Sequence, residues 1–336
     1  MDVVIAGYGR AGEMHARLLA ARHGLRIVGV TDQTTARRAA AAARFPLAAT
    51  AARLDELNVR ADAVVACTPP AHHEADTRIA LTRYRAHVLC EKPAVLDARV
   101  GRQLTRAAAE AGLVLQPVHN YLQSPAITEL QQVAARSIGR VNRVTITINR
   151  TEPATGHAAW QPGWRTDPAV GGGILYDHGP HACYLACHLT DQSAISVRCA
   201  TTAGEHGADH SAHLDVRLAN GSSVAIKLSW HGSTRENSYQ LSGEHGTVRL
   251  RNGQLELTTP TGTYRARTED HSIGGHTHDR WIAGVHQTFL EHTTGTHPRN
   301  EHWKDAVHVA EILAAARASA ATGRRWISLS HAHRTT

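Results

Sequence analysis

Three short stretches of this chain hold side chains whose chemistry goes beyond packing. Gly171-Gly172-Gly173-Ile174-Leu175-Tyr176-Asp177-His178-Gly179-Pro180-His181 sets an acid and a histidine four residues apart, with Gly-Pro between them. An imidazole, with an unperturbed pKa of about 6.5, can take a proton at neutral pH. On a regular helix Asp177 shares a face with His181, where it can orient the ring or bind a neighbouring hydroxyl. Pro180 works against regularity, because it lacks an N–H and clashes with the carbonyl of Tyr176. A bend or a broken hydrogen bond is therefore predicted at Gly179-Pro180. The second stretch is Glu91-Lys92-Pro93. Lys92 is one of three lysines in the chain, with Lys227 and Lys304. Its ammonium is a compact point donor, suited to stabilising a developing alkoxide. The third stretch, Gly7-Tyr8-Gly9-Arg10-Ala11-Gly12, has the spacing G-x-G-x-x-G.

Positioning these groups requires a scaffold, and the hydrophobic pattern supplies one. Residues 2–6, 26–31, 63–67, 87–90 and 113–117 read as short buried strands. Helical segments separate them, at about 13–24, 36–45, 72–82 and 97–111. This alternation predicts a doubly wound parallel sheet of the α/β Rossmann type over residues 1–120. A helix at about 125–137 follows, and then the pattern changes. VNRVTITIN, ISVRCATT, HLDVRLA, SSVAIKLSW, NSYQLSG, TVRLRN and QLELTT read as strands, with turns at Asn220-Gly221 and Asn252-Gly253. Helices are read near 174–189, 277–292 and 301–321. Residues 121–336 are therefore expected to form an α+β domain with a large, mostly antiparallel open sheet, serving substrate binding and oligomerisation.

In this setting the glycine motif gains meaning. It follows a strand, opens a helix, and is followed by Asp32 at the end of the next strand. Gly7 permits the tight turn, Gly9 lets backbone approach a pyrophosphate, and Gly12 allows close helix–strand packing. The pyrophosphate rests on the helix N-terminus, where Arg10 adds charge. Asp32 accepts hydrogen bonds from a ribose 2′-hydroxyl and repels a 2′-phosphate, which favours NAD over NADP; Arg37 and Arg38 stand nearby as the counter-argument. Thr68-Pro69-Pro70 closes the third long strand and either shapes the wall along the cofactor or makes an ordinary turn. Lys92 follows a buried strand, so it is aimed at the ligand crevice of such a sheet.

Composition narrows the remaining classes. The 336 residues are 42% apolar, enough for two domains with real cores. No apolar run reaches the ~20 residues that span a bilayer, and MDVVIAGYGR lacks a signal-peptide pattern, so a soluble cytoplasmic protein is expected. The net charge of +7 comes from scattered arginines without a dense basic helix, which argues against nucleic acid as a partner. The five cysteines form no C-x-x-C pair and read as buried thiols. His271, His276 and His278 read as a polar loop, and no metal ligand set is read. Trp160, Trp164 and Arg165 precede the glycine run and serve either as sugar-stacking contacts or as core.

Taken together, the glycine motif, TPPAHHE, HVLCEKP, GGGILYDHGPH, KDAVHVAEIL and TGRRWISL follow one another as in the Gfo/Idh/MocA family of NAD(P)-dependent oxidoreductases, which the chain resembles over nearly its whole length. The resemblance implies hydride transfer between nicotinamide and a secondary alcohol or ketone of a sugar, cyclitol or aminosugar. Lys92 would lie at the reacting centre, with Asp177 and His181 facing the nicotinamide and His181 accepting the hydroxyl proton. It places Thr68, Pro69, Pro70, His73 and Glu91 on the cofactor side and implies a homo-dimer or homo-tetramer. Two departures stand out. Asn120 is followed by Tyr121 and Leu122 where the family often has Arg two residues after the Asn, and Tyr184 replaces a frequent Asp. An NAD-using glycosidase of the same fold and a non-catalytic sugar-binding regulator are the alternatives. Retention of Lys92 and His181 argues against the regulator. The three glycines are expected to let the chain pass close to nicotinamide and substrate.

Overall fold

The computed structural model describes residues 1–151, 163–204, 207–268, 278–295 and 300–330. Its first elements are β1 (Asp2–Ala6), α1 (Arg10–Ala20), β2 (Arg26–Thr31), α2 (Thr35–Arg44), β3 (Ala49–Ala51), β4 (Ala63–Ala66), α3 (Pro70–Ile79), β5 (His87–Cys90), α4 (Ala98–Ala111) and β6 (Leu115–Pro117). Then come α5 (Pro125–Ser137), β7 (Val141–Asn149), α6 (Ile174–Asp177), α7 (Gly179–Thr190), β8 (Ala194–Ala203), β9 (Asp209–Leu218), β10 (Ser223–Ser229), β11 (Glu236–Gly243), β12 (Thr247–Arg251), β13 (Gln254–Thr259) and β14 (Gly262–Arg267). The series ends with α8 (His278–Thr293), α9 (Glu301–Ala321) and β15 (Ile327–Ser328).

Met1–Val118 and Ile282–Val307 make one unit. Its six strands are all parallel, in the order β3-β2-β1-β4-β5-β6. Val4, Ile5, Ala6, Val64, Val65, Val88 and Leu89 are buried, as strands covered on both faces require. Between them α4 is capped at both ends: Asp97 accepts the Arg99 N–H, and Gly112 closes the helix in the left-handed region. Chain order reverses between β1 and β4. The loops after β1, β2, β4 and β5 therefore leave one edge of the sheet, at the switch point where such sheets bind ligands. The chain re-enters this unit late. Ile282, Val285 and Phe289 of α8 join the core that holds Ile5, Leu19 and Leu89, and Trp303 donates to the Gly101 carbonyl (3.3 Å).

Of the described residues, those from 119 to 151, Gly163–Trp281 and the chain from His308 onward make the second unit. Its nine strands run β14-β13-β12-β11-β7-β10-β9-β8-β15. All neighbours are antiparallel except β7 and β10, so the sheet is mostly antiparallel as expected. Val144, Ile146 and Ile148 alternate on the buried face of β7, matched by Val224, Ile226 and Leu228 of β10. Asn252 and Gly253 both take positive φ (48° and 78°) in the β12–β13 hairpin, which is why Asn-Gly marks it. Among the described residues no helix is long and apolar enough to cross a membrane.

The helix predicted near 174–189 is interrupted where the proline demands it. α6 ends at Asp177, His178 stands between, and Pro180 sits in the first turn of α7, where a missing N–H costs nothing. Asp177 and His181 thus belong to two helices, and the simple shared-face geometry does not apply. The glycine run also differs from expectation. A Cβ on Gly172 would lie 2.4 Å from the Trp164 carbonyl oxygen and 2.5 Å from that of Asp167. Gly173 (φ +107°) faces the Asp209 carboxylate, which accepts the Leu175 N–H at 2.7 Å. These two glycines make room for the chain's own oxygens.

Candidate active site

The first unit builds a cradle at the end of β1. Gly7 has φ +88°, and a Cβ there would press on the Cys67–Thr68 peptide at 2.8 Å. A Cβ on Gly12 would sit 1.9 Å from the Gly7 carbonyl oxygen. No other residue fits, so the first turn of α1 is held against β1 with its N–H groups at the sheet edge. Gly9 stands at the N-cap, Arg10 and Ala11 follow, and Arg10 is exposed. Such an arrangement accepts a pyrophosphate. Asp32 lies at the end of β2. Its Oδ2 accepts the Tyr8 N–H (3.0 Å) and its Oδ1 the Thr34 N–H (2.8 Å), which fixes the carboxylate beside the cradle. Arg37 approaches Asp32 at 3.5 Å, whereas Arg38 is turned onto the Asp32 and Gln33 carbonyls. These residues fit an adenine dinucleotide without a 2′-phosphate. Asp32→Ser is expected to lower the preference for NAD over NADP by about tenfold or more, since a charge-assisted contact is lost and a repulsion removed. Dissociation constants for NADH and NADPH, measured by fluorescence, check this; an unchanged ratio would remove Asp32 from the role.

The loops after β4 and β5 are tied together. His73 is buried, and its two ring nitrogens lie 2.7 Å from the Thr68 carbonyl oxygen and 2.8 Å from that of Pro93. Burial pulls this imidazole toward its neutral form, while the two carbonyls oppose that. Thr68 also donates to Asp76 (2.6 Å), and Pro70 opens α3 after Pro69 at the N-cap. This bracing ties the backbone of Pro93, the residue after Lys92, to the loop after β4.

Glu91 anchors a line of buried groups that the sequence did not announce. Its Oε2 accepts the Lys92 N–H (3.1 Å) and its Oε1 pairs with His15 Nε2 (3.1 Å). His15 Nδ1 in turn lies 2.7 Å from His286 Nε2. With Glu91 charged, His15 donates from Nε2 and accepts at Nδ1 from His286. Burial acts to raise the Glu91 carboxyl, but the His15 bond and the Lys92 charge outweigh it and hold it below the usual range. Burial pushes His286 from 6.5 down to about 2, with His15 and Arg22 adding to the effect. The unfolded chain therefore binds more protons than the folded one between those values. This contribution to stability is whole above about pH 6.5 and is lost progressively as pH falls. His286→Phe is expected to flatten the acid side of the stability profile, by up to about 1.4 kcal/mol per pH unit. Urea unfolding at several pH values measures it, and an unaltered slope would contradict it.

In the second unit His181 is held by tyrosines. Its Nδ1 lies 3.1 Å from Tyr184 Oη, which also accepts the Tyr121 N–H (3.1 Å). Tyr121 packs on His181 (ring centroids 4.7 Å apart) and on Trp281 (5.1 Å), and His119 stacks on Tyr184 (4.1 Å). With its proton on Nδ1, His181 donates to Tyr184 and leaves Nε2 as an acceptor, the form a general base needs. Asp177, at the end of α6, lies 3.5 Å from Arg165 Nε and 3.3 Å from His178 Nδ1. Arg165 also covers the Trp164 ring at 4.4 Å. Trp164 is partly buried, and Asn120 is buried at the start of the turn before α5. Trp160 and the His271–His276 stretch lie outside the described residues. All five cysteines are free, and burial pushes Cys67, Cys90 and Cys183 up.

Known proteins share this architecture. The solved structure of GenD2 from gentamicin A biosynthesis, in complex with NAD, superposes with a TM-score of 0.83 at 26% identity, covering 98% of this chain and 97% of that one. A 1,5-anhydro-D-fructose reductase from Ensifer adhaerens is 29% identical over 212 residues, and the match spans only 61% of each protein. An inositol 2-dehydrogenase from Rhizobium meliloti is 26% identical over 283 residues, 79% of this chain and 81% of the relative. Residues 1–119 match the model of an oxidoreductase family with an NAD-binding Rossmann fold. Residues 130–249 match the Gfo/Idh/MocA C-terminal domain. With a glycine cradle and Asp32 in one unit, and a nine-stranded sheet with His181 on helix α7 in the other, the chain belongs to the Gfo/Idh/MocA family of NAD-binding oxidoreductases.

Proposed function

We propose that this oxidoreductase interconverts a secondary ring alcohol and the corresponding ketone of a sugar or cyclitol, with Lys92 and His181 acting on the same oxygen. The observation that carries the reading is the His181–Tyr184 contact at 3.1 Å, which holds a buried imidazole in a fixed orientation. In the oxidative direction His181 Nε2 takes the hydroxyl proton, and Lys92 stabilises the oxygen as it becomes anionic. Bound nicotinamide supplies the acceptor for the C–H electron pair. Glu91 fixes the backbone of Lys92, Tyr184 fixes the ring of His181, and Asp177 with Arg165 offers hydrogen bonds to flanking hydroxyls. The relatives named for inositol and anhydrofructose chemistry support a cyclic polyol as substrate class. A panel of cyclitols and pyranoses with NAD, and of their ketones with NADH, tests it at the nicotinamide absorbance band. Sugar release from glycosides without net NADH would favour the glycosidase instead.

A further inference from the structure

The second unit contains a buried cation that this reading leaves unused. On β7, Val144, Ile146 and Ile148 share the buried face, and Arg150 continues their alternation just past the strand end, at 6% exposure. Its backbone is pinned: its N–H donates to Ser229 (2.8 Å), and its carbonyl accepts from Gly232 (2.9 Å). Its side-chain bonds all use one nitrogen. Nη1 donates to the Asn149 carbonyl (2.7 Å), the Glu236 carbonyl (3.3 Å) and Asn237 Oδ1 (3.0 Å). Among the described residues, Nε and Nη2 make no such bond. Asn237, paired with Ile148 in the β7–β11 register and 1% exposed, has a buried Nδ2 with no acceptor. The unbonded nitrogens of Arg150 and Asn237 Nδ2 thus lie side by side, and for the fully buried Nδ2 an unmet bond is destabilising.

The surroundings do not balance this charge. Burial lowers the Arg150 pKa and Arg235 adds to that, while Tyr121, Tyr239 and Asp177 oppose it. Asp177 is already shared with Arg165 and His178. Tyr121 also packs against His181, so this corner neighbours the proposed base within the same unit. The free edge of a guanidinium matches two oxygens of a carboxylate or phosphate, and a fixed edge in a desolvated place favours them most.

We propose that Arg150 and Asn237 form an oxyanion subsite, and that the cyclic polyol substrate carries a carboxylate or phosphate group bound there. This rests on the reading that His181 acts on that substrate. The test measures kcat and KM with NAD for D-glucuronate, D-glucose 6-phosphate and D-glucose. It compares the unaltered protein with Arg150→Met, Arg150→Lys and the near-isosteric Asn237→Asp. At least one anionic sugar is expected to exceed glucose in kcat/KM, and which one it is decides between carboxylate and phosphate. Arg150→Met and Asn237→Asp should each lower that anion-to-neutral ratio about 10- to 100-fold, mainly through KM, with Arg150→Lys in between. Asn237→Asp keeps the acceptor for Nη1, so it covers the case in which Arg150→Met fails to fold. Equal use of glucose and its anionic counterparts, or equal losses for all three sugars in both variants, would overturn the subsite. Calorimetric titration of the same sugars into the NADH-bound protein separates the two readings. Arg150-dependent binding of an anionic sugar without turnover keeps the subsite and rejects the proposed reaction. No preference for the anionic sugars in binding or turnover rejects the subsite.

Discussion

Replacing Lys92 by Met is expected to lower kcat about 10²- to 10³-fold, the loss typical of one preorganised donor aimed at a developing oxyanion. Lys92 follows β5 at the switch-point edge of the parallel sheet, the edge that also carries Gly7 to Gly12 and Asp32. Its backbone is fixed by its neighbour, since Glu91 Oε2 accepts the Lys92 N–H and Glu91 is itself held by His15. The protein thus orders the base of a flexible side chain before substrate arrives, which lowers the entropy of placing the ammonium. Lys92→Arg should recover little, because a planar fork on a longer stem does not replace a point donor at one oxygen. Single-turnover formation of NADH is the measurement, with substrate deuterated at the reacting carbon. The variants should show a full isotope effect, because the chemical step becomes rate-limiting. If Lys92→Met keeps more than about a third of kcat, the assignment of Lys92 to the reacting oxygen fails.

The parts of this site that were legible in the sequence are those fixed by local or covalent constraints. The Gly7–Gly12 cradle is legible because only glycine fits 1.9 Å from a carbonyl oxygen. The break before α7 is legible because Pro180 cannot continue a helix begun upstream. The long strands of both sheets are legible from their apolar runs or alternation. β3 is silent because Ala49-Thr50-Ala51 is short and mostly exposed, and β14 because all six of its residues are exposed. Contacts between distant residues were not legible. His15 and His286 lie 271 residues apart, and nothing in either neighbourhood marks the other. The return of residues 282–307 to the first unit is equally silent, because an amphipathic helix does not name the core that will take it. Arg150 did leave a signal: it is a charged residue on the apolar face of VNRVTITIN-Arg, visible once the alternation is carried one step past the strand.

His181→Ala should cost about 10²- to 10⁴-fold in kcat/KM for alcohol oxidation, the range for a lost general base. Its diagnostic is the pH profile rather than the size of the loss. If His181 is the base, the rate of oxidation is expected to fall on the acid side in the unaltered enzyme, and that fall should vanish in the variant. Tyr184 then gives the sharper test. Its hydroxyl lies 3.1 Å from His181 Nδ1 and accepts the Tyr121 N–H, so it sits between the base and the loop after β6. If Tyr184 acts by holding the ring in the tautomer protonated at Nδ1, Tyr184→Phe should reduce kcat/KM about tenfold in the presence of His181 and hardly at all in its absence. If it touches substrate independently, the two losses should multiply. A double-mutant cycle on kcat/KM distinguishes these cases, because a residue that works only through the base has nothing left to do once the imidazole is gone.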